Sequence, residues 1–375
     1  MTAQYLKNVF ETCKEPQLFH RYITNNHITP LLKKLPSKFI VETIGESVKY
    51  ESIYSVTLGH GSKKILLWSQ MHGNESTTTK ALFDMFNAFC MCSDLDNILQ
   101  SCTIKIIPIL NPDGAKVYTR LNANGIDLNR DAQNLSQPES KVLNQLFHEF
   151  KPDYCFNLHG QRTIFSAGLY EFPATVSFLA PSQDETCSIT PNRQCAMEVI
   201  AYLNAHLQKQ IPNQIGLYDD AFNINCVGDT FQSYNVPTIL FEAGHYQNDY
   251  EREITRGYIF QSLLIALDYI SKHEISGNGY KPYFEIPLNE KRFYDIIIKN
   301  TSDLDIAIQY EERLMSEKVE FIPKIEKISD LSEFYGHKVI NANKHKVLTA
   351  NEGPLKEGVE NDFVSINNEL FSLKL

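Results

Sequence analysis

Short apolar runs alternate along the first two thirds of the chain with segments that favour helices. SKFIVETIG at 37–45 and ESIYSVTLG at 51–59 are rich in β-branched residues and predict strands. Four further runs predict the strands of a central sheet: KKILLWSQ at 63–70, TIKIIPIL at 103–110, PDYCFNLHG at 152–160 and VPTILFEAG at 236–244. The continuous apolar character of KKILLWSQ is typical of a strand that is covered on both faces.

Helices are predicted between these runs. In the segment Ser76–Cys90 the apolar residues recur at helical spacing. Further helices are predicted at 138–150, 193–210 and 256–273. Because strands and helices alternate, the pattern predicts an α/β fold, in which helices cover both faces of a mixed, mostly parallel central sheet.

The pattern changes near residue 280, where short alternating segments replace the helices. We therefore predict three regions: an N-terminal helical extension over 1–36, a main α/β domain over 37–275 and a small β-rich domain over 280–375. The last region contains no recognisable chemistry. It restricts access to a cleft, mediates assembly or stabilises the main domain.

Composition narrows the function classes. The 375 residues are 43% hydrophobic and 21% charged, which is typical of a globular protein. The net charge of −10 argues against nucleic-acid and anionic-membrane partners, and no apolar run approaches the roughly 18 residues of a membrane span. The eight cysteines lack zinc-knuckle spacing, so reduced thiols are favoured over disulfides. The N-terminus shows no secretory signal, and we expect a cytoplasmic protein; the oligomeric state stays open.

Four ionisable side chains stand at the ends of three predicted strands. His72 and Glu75 follow KKILLWSQ, His159 ends the apolar part of PDYCFNLHG and is followed by Gly160, and Glu242 ends the apolar part of VPTILFEAG. Taken singly, each is better explained as a structural residue, such as a helix cap. Ligands of open α/β sheets bind beyond the carboxyl ends of the strands, so together they predict a His/Glu/His zinc site with a free carboxylate. Such a carboxylate can act as general base.

A turn-rich segment, residues 111–131, adds groups that recognise anions. It contains Arg120, Asp127, Asn129 and Arg130. Arginine and asparagine side chains bind carboxylates, and arginine does so with two parallel hydrogen bonds. A surface loop with ordinary charges explains Arg120 alone equally well, but it explains the adjacent Asn129 and Arg130 less well.

The order of five motifs resembles that of the zinc metallocarboxypeptidases related to carboxypeptidase A. These motifs are HGNE, NPDG, RxNxxGIDLNR, NLHG and FEAG. No single motif is specific, but their joint order is, and the resemblance covers residues 37–272. It implies that 37–275 is a zinc carboxypeptidase-like catalytic domain. It also implies one zinc ion per chain, held by His72, Glu75 and His159.

The resemblance also implies a role for each remaining polar residue. Asp127 would orient a zinc-bound histidine. Arg120 would polarise the scissile carbonyl, while Asn129 and Arg130 would bind the terminal carboxylate of the substrate. Glu242 would be the general base towards a zinc-activated water and then the proton donor to the leaving amine.

Three further positions are ambiguous. Digestive members of the family carry a tyrosine on a mobile loop, and we select Tyr218 over Tyr234 as its counterpart; a packing role is an equal alternative. Asp229 contacts a basic substrate side chain or caps a helix, and the cap is favoured. For His245, a structural role is favoured over a fourth zinc ligand, which would close the open position.

Two other functions compete with peptide hydrolysis. The aspartoacylase and succinylglutamate desuccinylase family shares the HxxE pair, a DLNR segment and a C-terminal β domain, which implies deacylation of an N-acyl amino acid. A metal-free binding protein is disfavoured because every ligand and the base are present. The expected substrate is therefore a peptide or an N-acyl amino acid with a free carboxylate, and a cytoplasmic enzyme would trim peptides or muropeptides.

Overall fold

The computed structural model describes all residues from 1 to 375, and they form two compact units. The first unit comprises residues 1–161 and 174–289. The second unit comprises residues 162–173 and 290–375. The short internal segment 162–173 therefore belongs to the same compact unit as the C-terminal residues 290–375.

All nine α-helices lie in the first unit, and none is both long and apolar enough to cross a membrane. They are α1 (Ala3–Cys13), α2 (Asn25–Leu32), α3 (Thr77–Met91), α4 (Asp96–Ser101), α5 (Pro112–Val117), α6 (Pro138–Phe150), α7 (Pro191–Leu207), α8 (Val227–Ser233) and α9 (Glu253–Lys272). Three short 3₁₀-helices cover Ser93–Leu95, Leu128–Arg130 and Lys281–Glu285.

Seventeen strands are numbered in chain order. They are β1 (Ile40–Glu46), β2 (Ser52–Gly59), β3 (Lys63–Ser69), β4 (Cys102–Ile107), β5 (Tyr154–Gly160), β6 (Phe165–Ala167), β7 (Val176–Leu179), β8 (Ile215–Leu217), β9 (Thr238–Ala243), β10 (Asn289–Lys291), β11 (Phe293–Lys299), β12 (Asp305–Met315), β13 (Lys318–Ser329), β14 (Tyr335–Asn341), β15 (Val347–Thr349), β16 (Phe363–Ile366) and β17 (Glu369–Ser372).

The first unit is built on an eight-stranded sheet with the order β1-β2-β4-β3-β5-β9-β7-β8. Its four central strands, β4, β3, β5 and β9, are parallel to one another. Antiparallel pairing appears towards the edges, between β1 and β2, β2 and β4, and β7 and β9. The predicted mixed, mostly parallel sheet is therefore confirmed.

Strand β3 shows why helices are needed on both faces. Ile65 and Leu67 join one buried cluster, with apolar side chains of α3 and α9. Leu66 and Trp68 point to the opposite face and join a second cluster, with side chains of α6 and α8. Because both faces of β3 are covered, the strand is apolar along its length, which confirms the layer arrangement predicted from the sequence.

The second unit contains the β-rich structure that the sequence predicts near the C-terminus. Its strands form a four-stranded sheet, β13-β12-β11-β14, and a three-stranded sheet, β15-β16-β17. Residues 162–173 are bonded into this unit. The Phe293 amide donates to the Ile164 carbonyl at 3.0 Å, and Gln309 Nε2 donates to Thr163 Oγ1 at 2.7 Å.

Candidate metal centre

The loop between β3 and α3 carries the first two candidate ligands. Gln70 follows the last residue of β3 and adopts a left-handed backbone conformation (φ 50°), so the chain turns away from the strand there. Helix α3 begins at Thr77. Within the loop, the Glu75 amide donates to the His72 carbonyl at 3.0 Å. This turn places His72 Nδ1 2.9 Å from Glu75 Oε1.

The third candidate ligand comes from β5 and reaches the same point. His159 Nδ1 lies 3.1 Å from His72 Nδ1 and 2.9 Å from Glu75 Oε2. One donor atom from each of the three residues lies within 4.8 Å of the others. Two imidazole nitrogens and one carboxylate are the donor set of catalytic zinc sites that keep a position open. The three residues therefore fit Zn²⁺.

The charges of this cluster suit metal binding. Burial raises the pKa of Glu75, but the His72 charge and the hydrogen bonds of both histidines outweigh burial and hold its pKa well below its usual range. Burial lowers the pKa of His159. For His72, burial lowers the pKa, but Glu75 and Asp127 outweigh it and the pKa is raised. Because ligands bind metal deprotonated, metal affinity should fall on acidification.

Asp127 and Arg120, both from the turn-rich segment 111–131, contact the candidate ligands. Asp127 Oδ1 lies 3.1 Å from His72 Nε2, the ring nitrogen that faces away from the other ligands. Arg120 Nε donates to Asp127 Oδ2 at 3.1 Å, and its Nη1 lies 3.5 Å from Glu75 Oε1. The Arg120 side chain is 46% exposed, so it stands at the rim of the site.

Glu242 is aligned with His159 by the register of the central sheet. The two residues are direct partners in the parallel pair β5–β9, so their side chains point to the same face. Glu242 Oε2 is buried and has no hydrogen-bond partner. Burial, and then the charge of Glu75, raises the pKa of Glu242 well above its usual value. A buried carboxylate with a raised pKa, beside residues that could hold a metal ion, has the properties of a general base.

Asn129 and Arg130 lie beyond Asp127. Asn129 Oδ1 accepts a hydrogen bond from the Val227 amide at 3.0 Å, which fixes it at the start of α8. Arg130 Nη1 donates to the Asn129 carbonyl at 2.7 Å, and Arg130 is exposed. The exposed Arg130 side chain, next to Asn129, can therefore bind an anion from solvent.

The two candidate tyrosines have different surroundings. Burial, and then the charges of Glu242 and Glu75, raises the pKa of Tyr218, so this phenol lies within the electrostatic reach of the cluster. Tyr234 is 45% exposed and packs on Phe147 of α6, with ring centroids 5.8 Å apart. The choice of Tyr218 stays a prediction.

Asp229 and His245 occupy buried positions. Asp229 lies in the first turn of α8 and accepts from the Asn223 amide at 3.4 Å; burial raises its pKa to about 6. The His245 ring packs against Tyr250, with centroids 4.7 Å apart. His245 is not among the three residues that could hold the metal, and its structural role stays a prediction.

Asn122 shapes the segment between Arg120 and Asp127, and sequence reasoning gave it no role. It is buried in an otherwise exposed loop, and its Oδ1 accepts from the amides of Asn124 and Ile126, each at 3.1 Å. Its Nδ2 donates to Gln137 Oε1 and Glu139 Oε2. The central asparagine of the RxNxxG motif, ahead of Gly125 with its φ of 73°, was the available signal.

Arg252 is a second residue that sequence reasoning missed. It is 1% exposed, and its guanidinium donates to the Ala243 carbonyl at 2.8 Å and the Gln161 carbonyl at 2.9 Å. These carbonyls stand just beyond Glu242 and His159, so Arg252 joins the ends of the two strands that carry them. No sequence pattern predicts that Arg252 joins the two strands, because its acceptors are the main-chain carbonyls of Ala243 and Gln161.

The chain is similar to known carboxypeptidases in sequence. A family model described as zinc carboxypeptidase matches residues 24–235, which include the three ligands and Arg120 but end before Glu242. Carboxypeptidase SOL1 of Arabidopsis thaliana is 27% identical over 168 residues, which are 38% of this chain and 34% of that protein. Carboxypeptidase 2 of Trichophyton rubrum is 27% identical over 101 residues, 26% of this chain and 19% of that protein. The chain thus spans about a third or less of these two relatives.

Solved structures share the fold. A metallo-carboxypeptidase from Burkholderia cenocepacia has a TM-score of 0.51 at 18% identity, covering 66% of this chain and 69% of its own. Carboxypeptidase A from Helicoverpa armigera has a TM-score of 0.52 at 14% identity, covering 71% of this chain and 80% of its own. At these identities the similarity concerns the fold alone.

Proposed function

This chain belongs to the zinc carboxypeptidase family, as the order of its motifs predicts, and we propose that it hydrolyses an amide bond next to a free carboxylate. The observation that carries the proposal is the cluster of His72, Glu75 and His159 with Glu242 aligned beside it. The three ligand residues would hold one zinc ion per chain. The substrate we propose is a peptide with a free C-terminal carboxylate.

Each protein group has a distinct part in the proposed reaction. His72, Glu75 and His159 would hold the zinc ion, which would supply Lewis acidity to lower the pKa of water towards neutrality and to polarise a carbonyl. Glu242 Oε2 accepts the proton of the attacking water and then delivers it to the leaving amine. The Arg120 guanidinium stabilises negative charge on the carbonyl oxygen. Asp127 holds the His72 ring in one orientation through Nε2.

Arg120 is the first residue whose replacement tests this scheme. We expect Arg120→Ala to lower kcat by about 10²–10³, the usual cost of a lost oxyanion donor. The measurement is steady-state hydrolysis of a short peptide. Lys116→Ala is the control, since Lys116 is an exposed cation that pairs with Glu51 at 2.8 Å, and it should leave kcat unchanged. Equal kcat values for Arg120→Ala and the wild type contradict the assignment.

Arg130 should recognise the terminal carboxylate. A charge-assisted hydrogen bond contributes about 1.5–3 kcal/mol, so Arg130→Met should raise KM by roughly 10- to 100-fold, with a smaller effect on kcat. The same peptide with a C-terminal amide provides the control substrate. The wild type should prefer the acid to the amide, and the variant should lose that preference. A variant that still discriminates between the two substrates refutes the role.

The pH profile should report Glu242. Burial raises its pKa, and a general base must be ionised, so turnover is present above this pKa and is lost as the pH falls through it. We expect the acid limb of kcat/KM to lie above the ordinary glutamate range. The profile is measured at saturating zinc with the metal content checked at each pH. A rate that stays constant through the ordinary glutamate range is inconsistent with this assignment.

A direct assay separates the proposed function from its alternative. The alternative is an N-acyl amino acid deacylase, which the β-rich second unit supports; the zinc carboxypeptidase match supports the peptidase. The purified protein is incubated with zinc and either a short peptide or an N-acyl amino acid. Cleavage of the peptide, with release of its C-terminal amino acid, supports the peptidase. Cleavage of the N-acyl amino acid alone, into the acyl acid and the free amino acid, replaces the peptidase by the deacylase. No hydrolysis of either substrate contradicts both.

The location of the reaction is also a proposal. We propose a cytoplasmic enzyme that trims peptides or muropeptides. Eight free cysteines support a reducing compartment, and among them Cys13 and Cys92 keep their sulfur atoms 3.9 Å apart. Fractionation of source cells tests this, and a protein found only outside the cytoplasm contradicts it.

A further inference from the structure

We propose that residues 18–24 form a positioning element of the metal centre, one that holds the 70–76 loop carrying His72 and Glu75. The match to the family model begins at residue 24, so nearly all of this segment precedes the matched residues. The inference rests on the proposed function, because it assigns the segment a role in zinc binding.

The main chain of the segment accepts hydrogen bonds from both ends of the loop. At the start of the loop, Gln70 Nε2 donates to the Ile23 carbonyl and to the Gly73 carbonyl, each at 2.8 Å. At its end, Ser76 Oγ donates to the Arg21 carbonyl. Gln70 is fully buried, and Ser76 is 1% exposed. The two donors therefore enclose His72 and Glu75 between fixed points.

The same segment contacts the chain that follows the proposed general base. Arg21 Nη1 donates to the Tyr250 carbonyl at 3.3 Å. The His20 amide donates to Glu253 Oε1 at 3.2 Å. Residues 20–23 thus connect the loop after β3, which carries His72 and Glu75, with the loop after β9 and the first residue of α9. Strand β9 carries Glu242.

A buried ion pair between Arg256 and Asp84 anchors the beginning of this segment, at Leu18. Arg256 and Asp84 are both fully buried, and Arg256 Nε donates to Asp84 Oδ2 at 2.6 Å. Arg256 also donates to the main chain of the segment that precedes residue 20, at the carbonyls of Glu15 (2.9 Å) and Leu18. Because a buried charge without its partners is costly, the segment is held in one position.

This arrangement predicts a specific loss when the donors are removed. Removing the Gln70 or the Ser76 donor leaves the carbonyl of Ile23 or Arg21 without its hydrogen bond. A buried carbonyl without a donor is unfavourable, so the 70–76 loop would move away from residues 18–24 at that point. Groups that orient metal ligands cost about 10- to 100-fold in metal affinity when they are removed. We expect a loss of this size for Gln70→Met and Ser76→Ala, although neither residue binds the metal.

The experiment measures zinc affinity by competition with a chelator, together with thermal unfolding of the zinc-free protein. Asn87→Ala is the matched control, since Asn87 Nδ2 donates to the N-terminal region outside residues 18–24, at the Cys13 carbonyl (3.0 Å) and Glu15 Oε2 (3.3 Å). Both loop variants should bind zinc more weakly, whereas Asn87→Ala should lower only the melting temperature. Ser76→Thr restores a hydroxyl donor and should recover affinity relative to Ser76→Ala.

The outcomes separate the inference from the proposed function. If the wild type binds zinc and cleaves peptide while both loop variants bind zinc as tightly, the inference fails and the function stands. If Asn87→Ala loses as much affinity as the loop variants, the effect is general stability and the inference also fails. A wild type that binds no zinc overturns both. Should Gln70→Met not fold, Ser76→Ala decides, because it removes a single hydroxyl.

Discussion

Glu242→Gln is expected to lower kcat by about 10²–10⁴, the contribution of a positioned general base, while zinc binding persists. Glutamine keeps the size and polarity of the side chain but cannot accept the proton of water. The sheet register fixes Glu242 beside His159, and its buried Oε2 has no hydrogen-bond partner. Turnover of a short peptide and zinc affinity are measured on the same preparation.

A second glutamate provides the control for this experiment. Glu198 of α7 is 7% exposed and accepts from the Tyr269 hydroxyl and the Gly279 amide, both at 3.0 Å. Glu198→Gln changes the same functional group at a buried position outside the site, and kcat should not change. Wild-type turnover by Glu242→Gln would refute the general-base role, and loss of zinc from that variant would show a ligand role instead.

The central part of the fold could be predicted because its signals are local. Strands β3, β5 and β9 are apolar along most of their length, since both faces of the sheet are covered, and each is followed by polar residues at the end where the site lies. In parallel strands these ends meet on one edge, so strand position alone brought His72, Glu75, His159 and Glu242 together.

The outer part of the sheet could not be predicted from such signals. Strands β7 and β8 have four and three residues, too few to display a periodic pattern. Strand β7 lies in the Pro-rich stretch 172–195, and it pairs with β9 inside the sheet. The NPDG motif, a turn signal, instead begins helix α5, because Pro112 suits a first helical position and Asn111 Oδ1 accepts from the Gly114 amide at 2.8 Å.

The same limit applies to the candidate site. Residue types that carry chemistry reveal themselves in the sequence, as the arginines and acids of 111–131 do. Gln70, Ser76 and Arg252 donate to main-chain carbonyls, and any residue offers a carbonyl. Such acceptors leave no trace in the sequence, so the residues that position the site became visible only with the fold.

His159→Ala should remove zinc and activity together. It deletes one of three ligands, so the loss of affinity should exceed the roughly 100-fold cost of losing an orienting partner. Since a metal that binds only the folded state stabilises it, zinc should raise the melting temperature of the wild type, but not that of the variant. Zinc content, chelator competition and peptide turnover provide the measurements.

The contrast between the two variants is the strongest test of the assignment. Glu242→Gln should hold zinc without turnover, whereas His159→Ala should lose both, and a chelator should make the wild type behave like His159→Ala until zinc is restored. His148→Ala provides the control, since His148 lies on α6 and packs against Tyr234, with ring centroids 5.7 Å apart. It should keep zinc and turnover. A His159→Ala protein that binds zinc as tightly as the wild type would exclude His159 as a ligand, and with it the three-residue zinc site.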